Sequence, residues 1–511
     1  MSVSRSLSRS LALPPPGSKP VAKRWKTETN HDQRQNAAPQ RQPGSAMRGH
    51  NLDQASASAV EPASPKLSKS LRTRHVTMIS IGGIIGAGLF VNSSNAIAAI
   101  GPAVIVSYLL TGVIVLFVMR MLSELAMSHP EAGAFTEFSR LALGPLAGFA
   151  SGWLYWYFWV IVVAIEAIAG ARIVGLWLPG VPVWATGLVL TAALTGSNLL
   201  STRSYGEFEF WFSSIKVVAI IVFIVIAASY AFGLTSPTGP TLGNWVNFGG
   251  FAPKGWAPVL VGVTTLIFAL TGAEISTVAA AEAHESEKAI ANLSTTLVVR
   301  ILLFYVGSIA LIVAIIPWNE VKIGLSPFAA TLGRIGIPGA EMGMNIIVLV
   351  AVLSCLNSGI YVASRIMFTL AAKGDAPQWL VKVDARGVPS RAILIAALIA
   401  AVAVGASAIS PDLVFAFLVN ATGALMIFVY LGVVISQLIL RPRTPADRMH
   451  IKTWFYPWSG YLTIIAMVAV LAAMAFKKQS AIELGASCAC LFVVVACYFL
   501  FRRPSSGKST K

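Results

Sequence analysis

SIGGIIGAGLFVNSS, residues Ser80 to Ser94, decides how the rest of this chain is read. It lies in an apolar run of membrane-span length, roughly 77–98, yet carries Gly82, Gly83, Gly86 and Gly88. In a bilayer every backbone N–H and C=O needs a partner, so a break in a spanning helix survives only where it lines a cavity or binds something polar. Freed amides at a half-helix N-terminus suit a carboxylate, and freed carbonyls suit an ammonium group. One unwound turn can therefore hold both ends of an amino acid. Gly82 and Gly86 also form a small-xxx-small pair, the mark of close helix packing, and this stretch alone does not separate the two readings.

Composition places the stretch in a membrane. The 511 residues are 56% hydrophobic and only 12% charged, with a mean hydropathy of +0.73, which excludes an ordinary soluble domain. The net charge of +17 would suggest nucleic-acid binding in a soluble protein. Here much of it gathers in the first 75 residues, in short loops and in the tail FRRPSSGKSTK, as membrane topology requires. Cys355, Cys488, Cys490 and Cys497 all lie in apolar segments without disulfide or zinc spacing, and read as membrane-core packing.

Apolar runs fall at roughly 77–98, 102–126, 146–178, 183–200, 207–232, 257–281, 294–316, 343–371, 391–409, 412–440, 457–476 and 480–501. About twelve spans put both ends of the chain on one side. With the N-terminus inside, inner loops hold Arg140, Arg203, Lys288, Lys373, Lys382, Arg386, Arg391, Arg441, Arg443, Arg448 and Lys452, while outer loops hold only Lys254, Lys322, Arg334, Lys477 and Lys478. Both termini are thus expected in the cytoplasm, with the chain in the cell's inner (plasma) membrane. Residues 1–70 are rich in Ser, Arg, Gln and Pro and are expected to be a disordered basic extension. Its start, free of acids, also fits a transit peptide, and Met47 is an alternative translation start.

A second interruption, FALTGAEISTVAAAEA from Phe268 to Ala283, puts Gly272 and Glu274 inside the sixth span. The second break comes five spans after the first, and five plus five spans, each set led by an interrupted helix, is the pattern of an inverted repeat. An odd number of spans per repeat forces opposite orientation, so two broken helices can meet antiparallel at the midplane. That favours a carrier over simple helix packing.

Charged residues inside spans are costly, on the order of 3 kcal/mol or more at the bilayer centre, and so mark function. Three stand out: Glu166 in the third span, Lys216 in the fifth and Glu274 in the sixth. Lys216 lies about 13 Å from the inner end of its span by helix rise, too deep to snorkel out. Burial favours the neutral amine, which makes Lys216 a candidate proton carrier; a permanent tie to a carboxylate is the alternative. Glu274 suits a gate or a hydrogen-bond acceptor behind the break, and Glu166 an alternative proton site. The aromatic run GWLYWYFWV is expected to pack and anchor, with Tyr157 or Trp156 lining a cavity as the alternative, and Phe268 is placed to act as a lid. No HExxH metal motif or GxSxG elbow occurs, so neither an enzyme nor a cofactor is expected.

GGIIGAGLF, GPAVIVSYLLTG, MRMLSELA, LTGSNLLS, YGEFEFW, FALTGAEISTVAAAEA, IPWN and SCLNSGIYVASRIMFTLAAKGDAP together resemble the amino acid permeases of the amino acid-polyamine-organocation superfamily, most of all its bacterial 4-aminobutyrate (GABA) permeases. The likeness runs from about 70 to 476. It implies an all-α membrane protein of LeuT type: a ten-helix inverted-repeat core, residues 71–440, followed by two further helices and a tail, residues 441–511. It also implies proton symport of an amino acid, with exchange or another amino acid as the alternative. By that resemblance the substrate carboxylate meets the backbone around Gly86, Ala87 and Gly88, and its ammonium meets carbonyls near Ile84, Phe268 and Thr271, beside Gly272. Lys216 matches the fifth-span lysine that stands where sodium binds in sodium-coupled cousins. The loop ESEKAIAN lacks the family's prolines, which bears only on that loop's shape.

Overall fold

The computed structural model describes residues 85–132, 135–200, 202–272, 274 and 300–501, with backbone alone at 131, 202–208, 300 and 501. The expected N-terminal extension and Ile84 lie outside the described residues. So do the second half of the sixth span and the ESEKAIAN loop.

Among the described residues twelve helical crossings follow one another, and no strand occurs. They are α1 (Ala87–Ile100, interrupted at Val91), α2 (Val104–Ser128), α3 (Pro145–Gly175), α4 (Val183–Asn198), α5 (Thr202–Ala231) and α6 (Ala257–Leu270). After them come α7 (Ser308–Ile315, entered through a π-helical turn at Arg300–Gly307), α8 (Ala340–Ala372), α9 (Ser390–Ala406), α10 (Pro411–Leu440), α11 (Trp458–Ala475) and α12 (Lys478–Phe501). Short helices at Thr136–Leu143 and Pro327–Ile335 cover the ends of the bundle. α1–α5 and α6–α10 make two sets of five, the second led by a helix whose described part ends at Leu270, and α11 and α12 follow them.

α3 is the axis of that core. It packs on α4, α8, α9 and α10, and 83% of its most apolar stretch is buried, against 11% for the peripheral α12. Its start is set locally by Pro145 in the first turn, where the missing N–H costs no hydrogen bond. α10 begins in the same way at Pro411, with the Ser410 side chain accepting from the Leu413 amide and Asp412 in the first turn. Asp412 pairs with Arg172 at 2.7 Å and so joins the C-terminal end of α3 to the start of α10. At the opposite end of the bundle Glu124 of α2 accepts from Gln437 of α10, from Arg441 just beyond that helix and from the Thr453 amide. Serines and threonines within the spans, such as Thr111, Thr191 and Thr195, donate to carbonyls one turn back, which satisfies their hydroxyls without water.

Helices α6 and α10 approach closely at Gly423, where an added Cβ would stand 2.0 Å from the Thr264 carbonyl oxygen. Backbone, not a movable side chain, fills that space. Gly423→Ala is therefore expected to destabilise the bundle by about 1–3 kcal/mol, read as a lower midpoint of thermal unfolding in detergent; an unchanged midpoint contradicts this contact.

Candidate functional site

The described part of α1 starts at its break. Gly86 is not helical, at φ −138° and ψ −144°, so the described helix opens at Ala87, whose amide is a first-turn donor. That amide donates to both carboxylate oxygens of Glu166 on α3, at 2.9 Å to Oε2 and 3.1 Å to Oε1. A Cβ on Gly86 would lie 2.6 Å from Glu166 Oε1 and 2.7 Å from Cys355 Cβ, so only glycine lets α3 and α8 come this close. Cys355 hydrogen-bonds the same carboxylate.

The α6 break has the same logic. Thr271 leaves the helix with ψ 150°, and Gly272 follows at φ +115°, a conformation open to glycine and strained for any other residue. The amide of Gly272 donates to Oε2 and Oε1 of Glu274 at 2.9 and 3.0 Å. Tyr155 of α3 and Tyr430 of α10 reach the same carboxylate, each hydroxyl 3.4 Å from one oxygen, and the Tyr430 hydroxyl also lies 3.5 Å from Thr271 Oγ1. Tyr305 donates to the Ala269 carbonyl at 2.8 Å, near the end of α6.

The two breaks touch. A Cβ on Gly88 would stand 2.6 Å from Ala269 Cα, so the backbones of α1 and α6 meet directly. Phe268 is buried in the last turn of α6, beside that contact.

Lys216 is fully buried on α5. Its Nζ donates to Ser354 Oγ on α8 at 2.9 Å and stands 3.6 Å from Glu209 Oε1, also fully buried. Ser354 donates to Oε1 and Oε2 of Glu209 at 2.7 and 2.8 Å, and Ser213 donates to Oε1 at 3.0 Å. Consecutive residues of α8, Ser354 and Cys355, thus touch Lys216 and Glu166 respectively. The expected lysine and third-span glutamate neighbour adjacent residues of α8, while Glu274 is linked to the helix of Glu166 through Tyr155.

Four participants escape a reading of the sequence: Tyr155, Tyr430, Glu209 and Ser354. Two left a periodic trace. Tyr155 and Glu166 are eleven residues apart on α3, three turns, so one helix face serves both breaks. Glu209 precedes Lys216 by seven, two turns on one face. The aromatic residue that reaches the site is Tyr155. Trp156 stacks edge-on against Trp153 instead, and Tyr157 is half-buried at the rim of the core.

Backbone amides held by carboxylates at two touching helix breaks, in a bundle of twelve crossings, define a membrane carrier with a central polar site. The amino acid permease family model matches residues 75–501, and the chain belongs to that family. It is 46% identical over 441 residues to the gamma-aminobutyric acid permease of Bacillus subtilis, covering 86% of this chain and 94% of the relative. The gamma-aminobutyric acid permease of Escherichia coli is 41% identical over 82% of this chain and 91% of its own length. The aromatic amino acid transport protein AroP of Corynebacterium glutamicum is 37% identical over 80% and 89%. Among solved structures, a mutant manganese transporter of Eremococcus coleocola shares the fold at a TM-score of 0.53 and 12% identity, covering 83% of this chain and 93% of that one.

Proposed function

We propose that this permease imports gamma-aminobutyrate across the cell's inner membrane by proton symport, alternating access between the two sides, with both termini cytoplasmic and residues 71–440 as the carrier core. The observation that carries this reading is the Ala87 amide, a donor freed by the α1 break and held by a carboxylate in place of a helical carbonyl. A substrate carboxylate has the same chemistry as Glu166 and fits the same donor. Gly86, Ala87 and Gly88 would receive it, and carbonyls near Ile84, Phe268 and Thr271, beside Gly272, would take the ammonium.

Protons enter through the acids at the breaks and through Lys216. While Glu166 is ionised it competes strongly with the substrate for Ala87; once protonated it offers the amide only a neutral carbonyl, a weaker acceptor that a substrate carboxylate displaces more easily. Proton and substrate then favour each other's binding, as linkage requires. Glu274 stands in the same relation to the Gly272 amide. The relatives named gamma-aminobutyric acid permeases support this substrate, and the relative named for aromatic amino acids supplies the second reading.

The test is uptake of labelled gamma-aminobutyrate into proteoliposomes under an inward proton gradient, competed in turn by phenylalanine, lysine and proline at acid and alkaline external pH. Competition by gamma-aminobutyrate alone, stronger at acid pH and abolished by a protonophore, is expected. Preference for an α-amino acid would transfer the proposal to that substrate, and indifference to the protonophore would overturn symport. Lys216→Met is expected to lower gradient-driven uptake by about tenfold or more; full proton-driven uptake by that variant removes Lys216 from the coupling.

A further inference from the structure

Glu209 has no part in the cycle just described, yet it is a fully buried carboxylate beside the proposed proton-carrying lysine. An ion pair deep in a bundle is tolerated where further hydrogen bonds complete it; here Ser213 donates to Glu209 at 3.0 Å, and the Ser354 hydroxyl bridges carboxylate and ammonium in an ordered way. Ser354 Oγ accepts from the Lys216 ammonium and donates to the Glu209 carboxylate, both bonds 2.9 Å or shorter. That orientation is the one a proton wire needs.

From this geometry we infer that Glu209, acting through Ser354, receives the coupled proton from Lys216. In the transfer Ser354 passes its hydroxyl proton to a Glu209 oxygen as it takes one from Lys216 Nζ. One O–H bond forms at Glu209, one N–H bond breaks at Lys216, and the serine ends as it began. The ammonium becomes an amine and the carboxylate a carboxylic acid, so the pair is neutral in sum before and after, and no net charge is added to the low-dielectric interior. The acid then releases the proton towards the end at which α5 begins, which Glu209 approaches about 10 Å more closely than Lys216 by helix rise.

Among the described residues the other titratable groups beside the lysine are Cys355 of α8 and Glu166 of α3, and Glu166 is engaged with Ala87. Glu209 thus gives Lys216 an acceptor separate from the substrate site. The inference rests on Lys216 as proton carrier and assigns the step after it.

Two transport modes separate the relay from a structural tie: proton-driven accumulation of labelled gamma-aminobutyrate, and exchange of labelled for unlabelled substrate, which needs no net proton movement. Glu209→Gln and Ser354→Ala are expected to cut accumulation by about tenfold or more while exchange stays within about twofold of wild type, and Ser354→Thr, which restores a hydroxyl, recovers accumulation. Should Glu209→Gln fold poorly, Ser354→Ala decides, because it leaves both charges in place. Wild-type accumulation by Ser354→Ala and Glu209→Gln, with Lys216→Met inactive, overturns the relay and leaves the lysine reading standing. Loss of both modes in Ser354→Ala without rescue by threonine also overturns it, as a packing role. If Lys216→Met itself accumulates substrate, the failure belongs to the lysine reading.

Discussion

Gly88→Val is expected to abolish substrate uptake while leaving a chain that still inserts in the membrane. The smallest side chain at this position already brings a Cβ 2.6 Å from Ala269 Cα and 3.1 Å from Ala269 Cβ, where α1 crosses α6. Backbone atoms on the far side move only with the whole helix, so valine forces the two breaks apart. Overpacking costs about 1–3 kcal/mol in stability, which a large bundle survives. The site does not survive it, because donors and acceptors contributed by two half-helices lose their common centre. Binding of labelled substrate to the purified variant, alongside its thermal unfolding midpoint, checks this. Retained binding would mean that the α1–α6 contact does not shape the site.

Glu166 gives the second large effect, and its two obvious substitutions should differ. Glu166→Ala leaves the Ala87 amide without an acceptor in a water-poor interior, a loss of about 1–3 kcal/mol, or roughly 5–150-fold in an equilibrium. A lower thermal unfolding midpoint of the substrate-free protein is expected, together with a substrate affinity that no longer rises with acidity through this residue. Glu166→Gln keeps a carbonyl for the amide and removes only the titratable charge. Its sign follows from competition: in the parent protein acidity neutralises Glu166, weakens its hold on Ala87 and strengthens substrate binding, whereas the glutamine variant is neutral at every pH and loses this dependence. A substrate affinity measured across acid and alkaline pH should therefore flatten in Glu166→Gln, and an unchanged pH profile would assign the coupling to Lys216 or Glu274.

The polar network also bears on how the helices move against one another. Glu166 holds α3 to α1, Tyr155 and Tyr430 hold α3 and α10 to the α6 break, and Ser354 holds α8 to α5. Each tie joins a break or a buried charge to a helix of the surrounding scaffold. Rearrangement of α1 and α6 must therefore exchange these hydrogen bonds for others, and a substrate with a carboxylate and an ammonium group is the natural replacement partner.

The local chemistry of the chain determined the spans, their approximate ends and both breaks. Length and hydropathy decide which segments cross a bilayer, and glycine within such a segment is conspicuous because an unpaired amide is expensive there. Lys216, Glu166 and Glu274 stood out for the same reason: a charge in an apolar run carries its cost wherever the run is placed. Only the tertiary structure decided what each meets. Glu166 lies 79 residues from the Ala87 amide it accepts from, and Ser354 lies 145 residues from Glu209. Such pairings depend on how α3, α5 and α8 are rotated about their axes, which the summed packing of the bundle sets. Periodicity brought Glu209 and Lys216 to one face of α5, but the hydroxyl standing between them came from another helix, and no pattern within α5 could announce it.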